Sequence, residues 1–190
     1  MAIVEIHPKR IDGPWTEGYV LDRHVISSVP TGYHGEHMQF DTTRSALGEL
    51  VYQLKFKGGP SLDVIETASA FVRPRWAATL DLIVSAPPSV ERASQPAAVI
   101  AAGIGASLDL PCLQNVVRKI KTQPMKNVPP HERKDILKEA IQPGETPVAG
   151  KRILIVDDLW QTGGTMRRVA EVLSAMGAAD IRALAMTHTK

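Results

Sequence analysis

Arg152–Thr165 reads RILIVDDLWQTGGT. Its Ile-Leu-Ile-Val core is apolar and mostly β-branched, as in a strand covered on both faces. Asp157 and Asp158 follow, and Thr162-Gly163-Gly164-Thr165 then opens a helical pattern closed by Gly177. The order predicts a strand over Arg152–Val156, a glycine turn, and a helix over Gly163–Met176.

Working outward, the same alternation recurs. Asp81–Ala86 (DLIVSA) reads as a buried strand stopped by Pro87-Pro88. Ser94–Leu108 reads as an alanine-rich helix, Leu110–Val117 as a strand, Lys119–Pro130 as a loop and His131–Ile141 as a helix. Gln142–Gly150 is a turn-rich connector, and Ile181–Thr187 a final strand. Upstream, Leu47, Leu50, Val51 and Leu54 share one helical face, with Thr43 as a plausible cap and Gly58-Gly59-Pro60 as the stop. Ser61–Val72 is a second helix ended by Pro74. Tyr19–Ser27 suits a strand and Thr31–Phe40 an irregular loop. Strands alternating with helices predict an α/β fold: a parallel, about five-stranded sheet flanked by helices, with a small N-terminal hood. The boundary is expected between a hood at 1–41 and a core at 42–190.

The chain has 190 residues, 44% hydrophobic and 22% charged, with a formal net charge of +2. These values suit one globular domain and give no global electrostatic case for nucleic acid, which is a possible but disfavoured partner. Cys112 is the only cysteine, so neither an intramolecular disulfide nor a cysteine zinc site can form. No signal-peptide pattern opens the sequence and no apolar run is long enough for a bilayer. A cytoplasmic protein without membrane contact is expected.

Ligands of open α/β sheets sit beyond the carboxyl ends of the strands. Asp157 and Asp158 would lie at that edge. The Thr162–Thr165 turn would present backbone N–H groups and a helix N-terminus, an anion cradle suited to phosphate. Two acids beside a phosphate site make sense if they face a polyol or a hard cation. One stretch would then hold a phosphate at one end and a ribose at the other. A Walker A reading fails because no Gly-Lys-Ser/Thr follows the glycines, and the dinucleotide pattern G-x-G-x-x-G is absent.

The stretch resembles the phosphoribosyl pyrophosphate (PRPP) signature of type I phosphoribosyltransferases. That resemblance implies that Asp157 and Asp158 hold the ribose hydroxyls and, directly or through ribose and water, Mg2+. Gln161, Thr162, Gly163, Gly164 and Thr165 would wrap the 5′-phosphate. Around Pro87-Pro88, the family's pyrophosphate loop points to Ser89 and Arg92, since the prolines lack N–H donors. Between Leu110 and His131 there are three lysines and Arg118 but no acid. This suits a lid that neutralises the leaving pyrophosphate, with Arg118 as a binding residue and Lys119 and Lys121 as catalytic ones.

GELVYQLKFK (Gly48–Lys57), APPSVERASQ and VRKIKTQPMKNVPPHERKDI together look like the ComF-like branch of that family, with Arg133 at the position of its characteristic arginine. Two departures stand out. The N-terminal cysteine zinc ribbon of many relatives is missing, and their Arg-Gly-Phe-Asn-Gln run is reduced to Arg92-Ala93-Ser94-Gln95. Gln161 stands where purine-salvage relatives carry an acid, and an amide cannot act as a general base. Trp160 beside it is a candidate to stack on a base, with packing an equal alternative. His34, Glu36, His37 and Asp41 form a small cluster of candidate metal ligands, but histidines near acids are common in loops and a loop role is the expected one.

The expected activity is transfer of a phosphoribosyl group from Mg-PRPP to an unidentified base or amine, with release of pyrophosphate, by a homodimer. The alternative is a non-catalytic PRPP- or nucleotide-sensing or nucleic-acid-associated protein on the same fold.

Overall fold

The run Arg152–Val156 becomes the centre of the molecule because both of its faces are covered. In the computed structural model, which describes residues 2–88, 94–120, 128–129 and 132–189, Ile153, Leu154, Ile155 and Val156 are all fully buried. Truncating one of them, such as Leu154→Ala, is expected to cost about 2–5 kcal/mol.

The strands are β1 (Lys9–Arg10), β2 (Glu17–Arg23), β3 (Ser27–His34), β4 (His37–Thr43), β5 (Leu82–Ser85), β6 (Val117–Lys119), β7 (Ile141–Pro143), β8 (Arg152–Trp160) and β9 (Asp180–His188). The helices are α1 (Ala46–Lys57), α2 (Leu62–Arg75), α3 (Pro96–Leu108), α4 (Arg133–Ala140) and α5 (Gly164–Ala175). The main sheet has five strands in the order β1-β2-β9-β8-β5. Only β1 is antiparallel to its neighbour. This is the expected mainly parallel α/β sheet. Alternate residues of β8 divide the core: Leu154 and Val156 pack with α1, α2 and α3, and Ile153 and Ile155 with α5.

Four expectations need correction. Residues 1–41 do not form a separate hood, because β2 enters the main sheet beside β9. What stands apart is the β3–β4 hairpin, whose residues are exposed except Thr42. That hairpin includes Thr31–Phe40, read from sequence as irregular. With neither face buried, it carries no alternating apolar pattern. Leu110–Val117 is not a strand; Cys112 makes a single parallel bridge to Ile83, and the strand β6 begins at Val117. Finally, β8 does not stop at Val156 but continues to Trp160, because β9 pairs with it as far as His188.

Candidate active site

The pairing lengths place the acids. β5 ends at Ser85, which pairs with Val156. β8 runs on alongside β9, so Asp157 and Asp158 lie on strand backbone beyond the last residue of β5. They line an open cleft of about 1280 Å³. Its walls include Ser85–Pro88 after β5, Gln95–Ala98 at the start of α3, the Gln161–Thr165 turn, and Lys55 and Phe56 from the last turn of α1.

The turn is held open by geometry that glycine permits. Gly163 has φ +75°, and a Cβ there would lie 2.1 Å from the Trp160 ring. No side chain caps α5, so the first amides of this cleft-lining helix end lack an intrahelical partner. With the helix dipole, such amides are chemically suited to an anion. Trp160, a candidate base-stacking residue, packs beneath this turn. Its ring meets Trp15 edge to face at 5.9 Å, and Arg167 sits 5.7 Å from its centroid.

The two acids have different surroundings. Asp158 accepts a hydrogen bond from Lys55 Nζ at 2.5 Å. Asp157 Oδ1 accepts from the Asp158 amide at 2.8 Å. Burial on the cleft floor, then the adjacent Asp158 carboxylate, push the Asp157 carboxyl well above its ordinary range. Among the described residues no group of three or more His, Cys, Asp or Glu could form a metal cage. Two adjacent carboxylates do fit a magnesium ion that keeps waters and takes its other oxygens from ligand phosphates.

The opposite wall opens on residues without amide donors. Pro87 and Pro88 carry no N–H, and Pro96 takes the first position of α3. The amides of Ala97 and Ala98 follow at an end that no side chain caps. Lys119 is not among the cleft-lining residues; its Nζ donates to Pro88 O at 2.8 Å. Burial lowers its pKa. Arg118 is exposed on β6. Ser89, Arg92 and Lys121 lie outside the described residues, as does the side chain of Arg133.

Several cleft residues escaped the sequence reading. Lys55 and Phe56 belong to a helix whose pattern announces only its buried face. Lys138, Arg167 and Arg168 also line the cleft. Arg167 and Arg168 lie near the start of α5, the helix that the glycine turn opens, the one signal that pointed to them.

The phosphoribosyl transferase domain model matches residues 91–188, which carry β8, the acids, the turn and α5. The chain belongs to this phosphoribosyltransferase family. Over 41 residues it is 51% identical to a ribose-phosphate pyrophosphokinase of Thermococcus kodakarensis, a stretch that is 22% of this chain and 15% of that protein. A ribose-phosphate pyrophosphokinase of Pyrococcus abyssi is 46% identical over 48 residues, 25% of this chain and 16% of that one. Among solved structures, adenine phosphoribosyltransferase from Leishmania tarentolae aligns over 96% of this chain and 94% of its own, with TM-score 0.50 and 10% identity. That likeness is one of fold. No described helix of this phosphoribosyltransferase-family chain is long and apolar enough to cross a membrane.

Proposed function

We propose that this chain binds Mg-PRPP and transfers its phosphoribosyl group to a nitrogenous acceptor, releasing pyrophosphate. The observation that carries the reading is the meeting, in one cleft, of two strand-borne acids with the uncapped N-terminus of α5. In this reading the amides and hydroxyls of Thr162–Thr165 hold the 5′-phosphate. Asp157 and Asp158 accept the ribose hydroxyls and would hold the magnesium ion with the ligand's oxygens. When bound, that ion would neutralise charge on the departing pyrophosphate.

The anomeric carbon then faces the wall formed by the end of β5 and the start of α3. The C–O bond to pyrophosphate breaks as the acceptor nitrogen approaches, so positive charge grows on the sugar. Fixed positions, rather than a protein nucleophile, lower the barrier. Lys119 braces the turn after β5 through Pro88 O. Arg118, Lys121, Ser89 and Arg92 remain the proposed pyrophosphate side. Gln161 provides no base, so the acceptor is one that needs no proton removed by that position. The quoted segments support membership of the ComF-like branch.

A second reading, PRPP or nucleotide binding without turnover, draws on Pro87 and Pro88, which withhold amide donors where a leaving group would need them. Pyrophosphate release decides between the two. The protein is incubated with Mg-PRPP and a panel of bases and ammonia. Release that depends on one acceptor supports transfer. Calorimetric PRPP binding with no release under any acceptor supports the second reading.

A further inference from the structure

Lys55 and Asp158 are 103 positions apart in the chain, yet their side chains meet at 2.5 Å. Both are nearly closed off from solvent, at 14% and 12% exposure, and both line the cleft. A lysine held this way is fixed at each end. Its helix starts with the Ser45 cap, whose Oγ accepts from the Gly48 amide at 2.9 Å and donates to Arg23 O. A Cβ at Gly48 would lie 2.4 Å from His24 O, so α1 docks against the end of β2 at backbone distance. On the other side, β8 is locked to β9 in register, with Leu159 opposite Thr187. The Asp158 carbonyl also accepts from the Thr187 hydroxyl at 3.4 Å.

Two other cations of the cleft, Arg168 and Arg167, are engaged elsewhere. Arg168 donates to Ile141 O and Lys138 O and pairs with Glu171. Arg167 lies over the rings of Trp15 and Trp160. Asp158 therefore has its Oδ2 taken by a rigidly mounted ammonium, while the carboxylate borders the cleft.

We propose that Lys55 is a positioning residue for sugar recognition, holding Asp158 Oδ2 so that Oδ1 is aimed at a hydroxyl of the bound ribose phosphate. It acts through Asp158 and touches no reacting atom. The inference rests on the ribose-phosphate reading of the cleft. A charge-assisted bond that fixes a carboxylate removes the freedom the acid would otherwise lose on binding.

The test titrates the full chain by calorimetry with ribose 5-phosphate and, separately, with inorganic phosphate. Wild type, Lys55→Met, Lys55→Arg and the exposed neighbour variant Lys57→Met are compared, with thermal melts of each. Lys55→Met should weaken ribose 5-phosphate by at least about tenfold and inorganic phosphate by about twofold or less. Lys55→Arg should recover part of the loss, and Lys57→Met should change neither ligand by more than about twofold. If Lys55→Met does not fold, Lys55→Gln carries the same comparison. Equal loss of both ligands, or unchanged ribose 5-phosphate affinity, overturns the positioning role alone. Failure of the wild type to bind ribose 5-phosphate overturns the reading of the cleft as well.

Discussion

Two strand–loop–helix crossings meet at the same sheet edge, and they are built from opposite materials. The β8–α5 crossing has two acids, a glycine at φ +75° and an uncapped helix end with free amides. The β5–α3 crossing has Pro87 and Pro88 after the strand and Pro96 at the first turn of its helix. One offers acceptors for hydroxyls and donors for phosphate. The other opens on two prolines without N–H groups, and the amides of Ala97 and Ala98 stand at the uncapped start of its helix. The difference teaches why the proposed sugar and 5′-phosphate contacts are assigned to the β8 side, while the described part of the β5 side takes a cation from elsewhere in the chain, as Lys119 at Pro88 O illustrates.

The contrast can be broken most severely at the acids. Asp157→Asn combined with Asp158→Asn should reduce PRPP affinity on the order of a hundredfold, since both carboxyl groups of the cleft floor are lost. Circular dichroism should show the fold retained; affinity within a few-fold of wild type would remove the acids from the site.

Gly163→Ala is the next lever. It meets both a left-handed backbone and the Trp160 ring, and should cost about 2 kcal/mol or more. Gly58→Ala is the matched control, with φ +67° and nothing within 4 Å of the added Cβ. It should cost only about 1 kcal/mol. Equal losses in denaturant melts would mean that Trp160 yields freely and does not shape the turn.

Asp157 predicts a smaller, pH-dependent effect. Its native carboxyl titrates above the ordinary carboxylate value of about 4, because of burial and the Asp158 charge. In the window between those two values the native chain keeps a proton that the unfolded chain has released, so stability falls as pH rises through it. Asp157→Asn cannot release that proton. Its Tm relative to wild type should therefore be higher at pH 8 than at pH 5; a constant difference would contradict the perturbed acid.

The smallest effect is expected on the proline side. Lys119→Ala should lower turnover more than PRPP binding, by about tenfold or less, since it braces the turn without lining the cleft. Equal losses in both would make Lys119 a simple source of charge attraction.

What could be read from the amino-acid sequence follows the distance over which each feature is encoded. The β8–α5 crossing lies within consecutive residues, so apolar run, acids and glycine turn all show. The strand's extension to Trp160 does not, because it depends on β9 reaching His188. Lys55 was invisible as a site residue for the same reason: its partner is in another part of the chain. The β3–β4 hairpin went unread because a strand pair with both faces exposed has no buried side to pattern its residues. β2 was seen as a strand, but its place inside the sheet depends on pairing with β9 at the far end of the chain.

The most direct measurement is a crystal structure of the chain with ribose 5-phosphate. The phosphate should lie within hydrogen-bond reach of the Gly164 and Thr165 amides, with two sugar hydroxyls on Asp157 and Asp158. A sugar phosphate seated away from β8, or density absent from this cleft at saturating ligand, would contradict the assignment.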